Sequence, residues 1–295
     1  MELLAGHNTG PSRLRQLLGR PEPLLAPGCY DGLSARLVEA AGFDAAYMTG
    51  FGSAAGYLGR PDVGLMTMTE MVDNARRIAS AIALPVIADG DTGYGNAINV
   101  VRTVHEYERA GLAAIQLEDQ VMPKKCGHMA GKAVIGATEA IRKIAAAVAA
   151  RHNPDFVVVA RTDARATDGL DAAIDRARGF RDAGADVLFI EALTDEREIA
   201  SVAEAFRGTP LLFNWAEGGR TPALPYDRIA AYGFKIVIFP LTAMLAATRA
   251  MREALVAIRQ AGTPLPVLAE LPSFDDFVDF IGLPEIRNLE ERFRD

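Results

Sequence analysis

Short apolar runs, each followed by a segment of helical spacing, recur along this chain and narrow its possible folds more than any other feature. They are LLAPGCYDG (24–32), AAYMTG (45–50), PVIADGD (85–91), AAIQLED (113–119), VVVARTD (157–163), DVLFIEA (186–192), PLLFNWAE (210–217) and KIVIFP (235–240). Between them lie stretches such as MTEMVDNARRIASAIA, INVVRTVHEYERAG and ATEAIRKIAAAVAARH, apolar at helical intervals. Strands alternating with helices predict a parallel sheet covered on both faces. Ala-Gly and Gly-Ala pairs at 41–42, 110–111 and 183–185 sit where a helix should stop and the next strand begin. Eight such units in about 220 residues fit a closed (β/α)8 TIM-type barrel better than an open sheet, with a doubly wound sheet as the alternative. No linker divides the chain, so residues 1–295 read as a single barrel domain with 242–295 as a C-terminal helical extension. Its end, FDDFVDFIGLPEIRNLEERF, reads as an amphipathic tail interrupted at Gly282–Pro284. An apolar helix beyond a complete barrel needs a partner surface, so association of subunits is expected.

Charge and cysteine usage narrow the function. The net charge is −7 and no long basic run occurs, which argues against a nucleic-acid partner. An acidic protein that handles an acidic substrate needs local positive charge or a metal. No stretch approaches the roughly 18 uncharged apolar residues that would span a membrane. The start, MELLAGHNTGPSRLRQLLGR, lacks the basic-then-apolar pattern of a signal peptide. Two cysteines, Cys29 and Cys126, are too few for a disulfide framework, so a cytoplasmic location is expected.

Polar residues gather at strand ends: Asp89, Asp91, Glu118, Asp119, Arg161, Asp163, Glu191, Asn214 and Glu217. In a barrel these ends converge on the face where active sites are built. Asp89, Asp91 and Glu118 would repel one another and raise each other's pKa if left unpaired. A hard divalent cation, Mg²⁺ or alternatively Mn²⁺, resolves this, since Mg²⁺ commonly takes one or two carboxylates plus waters and substrate oxygens. The competing reading is a set of salt bridges to Arg161 and helix-borne arginines. No His or Cys lies among these acids, which disfavours zinc. Lys235 begins its strand, at the wrong end for a Schiff base, and Lys124, Lys125 and Lys132 belong to a loop. Electrophilic help for an enolate would therefore fall mainly to the metal.

That loop lies within LEDQVMPKKCGHMAGK (117–132), where Pro123, Gly127 and Gly131 deny regular structure, and it is expected to act as a lid. Lys124, Lys125 and His128 flank Cys126, which predicts a thiol pKa lowered towards neutrality. Cys29 reads as small-residue packing, and Met66, Met68 and Met71 as core. YMTGFG (47–52) offers backbone N–H groups for a carboxylate, or simply a tight turn. His7, His105 and His152 carry no ligand pattern.

PGCYDGLSARLVEAAGFDAAYMTGFG, IADGDTGYGN, LEDQ followed by PKKCGH, and VARTDA occur in an order that resembles the isocitrate lyase/phosphoenolpyruvate mutase superfamily over nearly the whole chain. KKCGH resembles the gating loop of its carbon–carbon lyase branch, the phosphonate-bond branch lacking that cysteine. The resemblance implies Mg²⁺ held by Asp89, with Asp91 and Glu118 acting directly or through waters. It implies Cys126 as general acid, with Lys124, His128 and Arg161 completing the catalytic set. Tyr47, Thr49, Gly50, Asp91, Gly127, Arg161, Glu191 and Asn214 would bind the substrate. It also implies a homotetramer whose subunits exchange a C-terminal helix. Methylisocitrate lyases resemble YLSGGG where this chain has YMTGFG, and a Thr-Glu-Phe-Gly stretch where it has NWAEGGRTP. Phe51 and NWAEGG look closer to enzymes of 2,3-dimethylmalate or 2-alkylmalates. The expected reaction is retro-aldol or retro-Claisen cleavage of a 2-hydroxy dicarboxylate to pyruvate or another 2-oxo acid plus a carboxylate. The alternatives are oxaloacetate decarboxylation or hydrolysis on the same scaffold, and a non-catalytic carboxylate-binding barrel.

Overall fold

Each apolar run contains a strand: β1 Leu24–Cys29, β2 Ala46–Met48, β3 Val86–Asp89, β4 Ala114–Glu118, β5 Val157–Thr162, β6 Val187–Ile190, β7 Leu212–Asn214 and β8 Ile236–Phe239. The computed structural model describes residues 10–294, so the expectations placed on residues 1–9, His7 among them, lie outside the described residues. The strands pair in parallel in the order β6-β5-β4-β3-β2-β1-β8-β7. First and last strands are neighbours, Leu24 facing Ile236 and Pro27 facing Phe239. A parallel bridge between Leu188 and Leu211, where the Leu188 N–H donates to the Pro210 carbonyl at 3.0 Å, brings β6 against β7. The circle is closed at both junctions, which excludes the doubly wound alternative.

Around the strands run α1 Gly10–Leu18, α2 Gly32–Ala40, α3 Gly50–Ser53 extended by a π-turn at Ala54–Leu58, α4 Met68–Ala81 and α5 Ala97–Arg109. They continue with α6 Ala137–Ala150, α7 Ala164–Thr167, α8 Leu170–Asp182, α9 Glu196–Ala205 and α10 Tyr226–Ala231. Local chemistry starts and stops them. Thr67 and Glu70 form a capping box on α4, and Asn96 caps α5 through the Ile98 and Asn99 amides. The helices α2, α5 and α8 end at Ala41, Ala110 and Ala183, each followed by glycine, as the sequence predicts.

Two apolar layers sit inside and outside the strand circle. Along β5, Val157 and Val159 pack into the interior whereas Val158 and Ala160 face the helices. The two-residue alternation with both faces buried explains why these strands read as unbroken apolar runs. One structural element has no counterpart in the sequence reading. Helix α1 closes the N-terminal end of the barrel, sending Leu14 and Leu17 into the interior cluster. Arg15 fixes it there, its Nε donating to the Asp155 carbonyl at 3.1 Å and its Nη1 pairing with Asp186 at 2.8 Å. Lys235 lies at this same end, bonded to the Arg20 and Pro21 carbonyls.

The extension comprises α11 Thr242–Ala261, a 3₁₀ turn at Leu265–Glu270, α12 Phe274–Phe280 and α13 Leu283–Arg292. None of these elements buries a residue. Leu255 is 66% exposed and Phe274 79%, so the apolar surplus seen in the sequence is real. Leu14, at 0% exposure, tests the role of the plug. Leu14→Ala is expected to cost about 2–5 kcal/mol in urea unfolding, the range for a core leucine whose site cannot collapse.

Candidate active site

The strand ends converge on a pocket that, with the loop seated over it, encloses about 40 Å³. Arg161, at the end of β5, stands at its centre. Its Nε and Nη2 fork onto Asp163 at 2.9 and 3.1 Å, while Nε lies 3.4 Å from Glu118 and Nη2 3.3 Å from Glu191. The guanidinium also sits 5.1 Å from the centre of the Phe189 ring. Behind it, Asp119 braces the β5 end by accepting from Thr162 Oγ1 and from the Asp163 amide, and it pairs with Arg176 of α8. On the other side a chain of hydrogen bonds crosses the barrel. Tyr47 donates to Gln116 at 3.0 Å, and Gln116 donates to Asp89 Oδ1 at 3.4 Å.

The backbone is shaped around these acids. Among the described non-glycine residues with left-handed φ are Asp91 (47°) and Ala192 (60°), the latter directly after Glu191. Such conformations persist where the surroundings over-determine them and cluster at functional sites. Gly50 lies so close to Asp89 that a Cβ there would meet Oδ2 at 2.5 Å. Thr49 caps α3 through the Gly52 amide, so the hydroxyl and glycines of YMTGFG form a tight helix-starting turn against Asp89.

The loop predicted as a lid is seated over the pocket. The Cys126 N–H donates to the Asp62 carbonyl at 3.1 Å, and Gln120 holds the Lys125 backbone from both sides. Lys124 reaches inwards to pair with Asp62 and Asp91, each at 2.6 Å. His128 Nδ1 accepts the Arg220 N–H at 3.1 Å, leaving Nε2 facing Asn214 and Glu191. Gly127 fits only because it has no side chain: a Cβ would overlap Arg161 Nη2 and meet Glu191 Oε2 at 2.6 Å.

These placements set the protonation states. Burial, then the neighbouring Asp91, push Asp89 up to about 6 against the pull of Lys124 and Arg161. Burial likewise raises Glu118 well above its ordinary value. Lys124 is held firmly protonated, the surrounding acids outweighing its burial. Burial lowers His128, aided by Arg161 and Lys132 and opposed by Glu191. The donor set suits a hard cation. Asp89 and Glu118 are carboxylates burdened by burial, and Glu118 Oε1 is a buried oxygen without a hydrogen-bond partner. Among the described residues no three His, Cys, Asp or Glu side chains converge at metal-binding spacing. A cation here would rely on one or two carboxylates and complete its shell with water and substrate.

The family model of phosphoenolpyruvate phosphomutase matches residues 14–259. The chain belongs to that family. It is 48% identical over 282 residues to 2,3-dimethylmalate lyase of Eubacterium barkeri, covering 96% of this chain and 97% of the relative. To 2-methylisocitrate lyase of Aeropyrum pernix it is 45% identical over 269 residues, 91% of this chain and 86% of the relative. Among solved structures, oxaloacetate acetylhydrolase in complex with the inhibitor 3,3-difluorooxalacetate matches with a TM-score of 0.92 at 38% identity, over 97% of this chain and 98% of that one. These matches agree with the superfamily that KKCGH resembles, and they make this family member a carbon–carbon lyase.

Tyr47, Thr49, Asp89, Glu118, Lys124, Cys126, Gly127, His128, Arg161, Glu191 and Asn214 all line the one pocket. Other expectations need correction. Cys126 is not drawn towards the thiolate: burial raises its pKa, with Asp62 and Glu191 adding to the rise and the His128 amide and Arg161 opposing it. The cations flanking it in sequence are spent elsewhere, Lys124 on two carboxylates and Lys125 on the Gly131 carbonyl. Lys124 belongs to the loop as expected, and its side chain is buried among acids. The salt-bridge reading holds in part, since Arg161 takes Glu118 and helix-borne Arg176 takes Asp119. Glu217 turns away from the pocket and bonds Thr242 at the start of α11. Cys29 is packing as expected, fully buried and pushed by burial up to about 12. Asp62 and Gln116 escaped the sequence reading, neither marking itself by motif or strand end.

Burial works against the charge on Asp163, but Arg161 and Lys132 outweigh it and hold the carboxyl at about 2. An ordinary carboxylate titrates near 4, so this group stabilises the fold above that pH and the contribution is lost as pH falls from about 4 to about 2. Asp163→Asn is expected to lose about 3–5 kcal/mol near neutral pH, as a buried pair missing one partner does. Its thermal melts should then depend less steeply on pH across the acid window than those of the parent.

Proposed function

We propose that this family member is a Mg²⁺-dependent lyase cleaving a 2-hydroxy dicarboxylate of the 2,3-dimethylmalate or 2-alkylmalate type. The products are pyruvate or another 2-oxo acid and a carboxylate. The observation that carries the reading is Cys126: a thiol kept protonated by burial, seated by a lid over a pocket of carboxylates and one arginine.

Cleavage of the C2–C3 bond follows loss of the 2-hydroxyl proton. The bonding pair passes to C3, which becomes the carbanion of the departing carboxylate, and C2 becomes the ketone of the 2-oxo acid. Arg161, oriented by the fork from Asp163, holds the carboxylate of the 2-oxo-acid half. Lys124 adds a fixed positive charge beside it. The carbanion takes its proton from Cys126 Sγ, which a neutral thiol can give and a thiolate could not. The seated loop keeps bulk water from that step. Asp89, with Asp91 and Glu118 directly or through waters, would hold Mg²⁺. When bound, the ion lowers the cost of forming the alkoxide and of gathering negative charge on the leaving fragment.

Phe51, Ala216, Ile238, Pro240 and Leu241 form an apolar side of the pocket. That wall suits an alkyl substituent better than a third carboxylate, and so favours alkylmalates over 2-methylisocitrate. Hydrolysis of oxaloacetate is the second reading, supported by the likeness to oxaloacetate acetylhydrolase. A panel of 2,3-dimethylmalate, 2-alkylmalates, 2-methylisocitrate and oxaloacetate, each with Mg²⁺ and with chelator, separates these. Chelator-sensitive pyruvate from the malates is expected; turnover of oxaloacetate alone would establish the second reading. On the substrate so identified, Cys126→Ser should slow turnover by about 10²–10⁴-fold with melting temperature and Mg²⁺ binding unchanged. Near-parental rates would remove the thiol from the mechanism.

The exposed apolar residues of α11 to α13 support a homotetramer sharing its C-terminal helices, and the pair of unbonded cysteines supports work in the cytoplasm. Light scattering should give the mass of four chains. A truncation before Phe274 should give a smaller one.

A further inference from the structure

Lys132 is a basic residue of the lid for which the reaction above has no use, yet its side chain is only 3% exposed. Its ammonium donates to the Gly127 carbonyl at 2.5 Å and to Asp163 Oδ1 at 2.6 Å. Asp163 is the carboxylate that forks onto Arg161. A single cation therefore joins the backbone beside Cys126 to the group that aims the substrate-binding arginine. The fit between them is close, because Gly127 rests against Arg161 and Glu191 with no room for a Cβ.

The lid has a second tether at its other end, through Lys124 to Asp62 and Asp91 and through the Cys126 amide to Asp62. That tether lies within the charge cluster of the pocket and cannot be cut without disturbing it. The Lys132 tether meets Asp163 at the same Oδ1 that takes Arg161 Nη2. Lys132 is absent from the pocket lining.

We infer that Lys132 is a positioning residue, a latch that holds the lid seated and ties its closure to the orientation of Arg161. With the latch in place, the lid delivers Cys126 only onto an arginine already aimed by Asp163. Without it, the Gly127 carbonyl loses its donor, and the half of the lid carrying Cys126 and His128 is free to lift while α6 and the strands stay as they are.

The test reads the lid directly, with no substrate, so it stands apart from the lyase reading. Iodoacetamide labelling of the native protein reports on Cys126, since Cys29 is 0% exposed. In Lys132→Ala, labelling well below the variant's own melting transition should accelerate by about tenfold or more, as local opening no longer breaks the ion pair. Tryptic cleavage after Lys125 should accelerate in parallel. Lys132→Arg, which can still donate to both partners, should restore slow labelling. Once a substrate is known, the latch variant should lose kcat more than it gains KM. Labelling of folded Lys132→Ala at the parental rate would overturn the inference. Should that variant not fold, Lys132→Gln keeps a donor for Gly127 without a charge for Asp163. Labelling of the glutamine variant faster than the parent supports the latch, and labelling at the parental rate overturns it.

Discussion

Buried carboxylates crowd the mouth of this barrel, and three buried cationic side chains, Lys124, Lys132 and Arg161, make the crowding tolerable. Asp62, Asp89, Asp91, Glu118, Asp163 and Glu191 all lie at or near zero exposure. In a low-dielectric setting such charges are costly singly and worse together. Arg161 meets three of them and Lys124 two. What remains uncompensated falls on Asp89 and Glu118, whose acidity burial weakens most visibly, and this surplus is the reason a divalent cation suits the site. The lid enters the same balance, because Lys124 belongs to it. Closure thus brings a positive charge into the pocket along with the Cys126 thiol.

The scaffold separates the two demands on the chain. Stability is collected at the N-terminal end, where α1 fills the barrel floor and Arg15, Arg151 and Asp186 bind it to the strands. Strain and uncompensated charge are confined to the C-terminal end, where Asp91 and Ala192 adopt left-handed backbone and the acids gather. The division follows from parallel strands in a closed circle, which send all their C-terminal ends one way.

Much of this was legible in the sequence. The strands were readable because burial on both faces leaves unbroken apolar runs, and the helix ends because glycine follows the last turn. The strand-end residues of the pocket were readable for the same reason: once a strand is placed, its last residue is placed. Tertiary pairing was harder. Asp62 sits in an unmarked loop, and only the fold carries it to Lys124. Helix α1 went unread, because its role depends on a partner, the open barrel end, that only the fold supplies. The Cys126 thiol was misjudged in direction for a related cause. Sequence neighbours announce which charges are near, whereas the fold decides which of them are already engaged.

The lid also has a bearing on speed. Lys124, Lys125, Cys126, Gly127 and His128 are themselves part of the pocket wall, so unseating them widens the way in and out. Unseating exchanges the Asp62 contact and the ion pairs at both ends of the loop for water. Where such contacts are many, motion rather than bond cleavage sets the pace. Contacts that seat the lid firmly shelter whatever the pocket holds, and the same contacts set how readily the pocket lets it go.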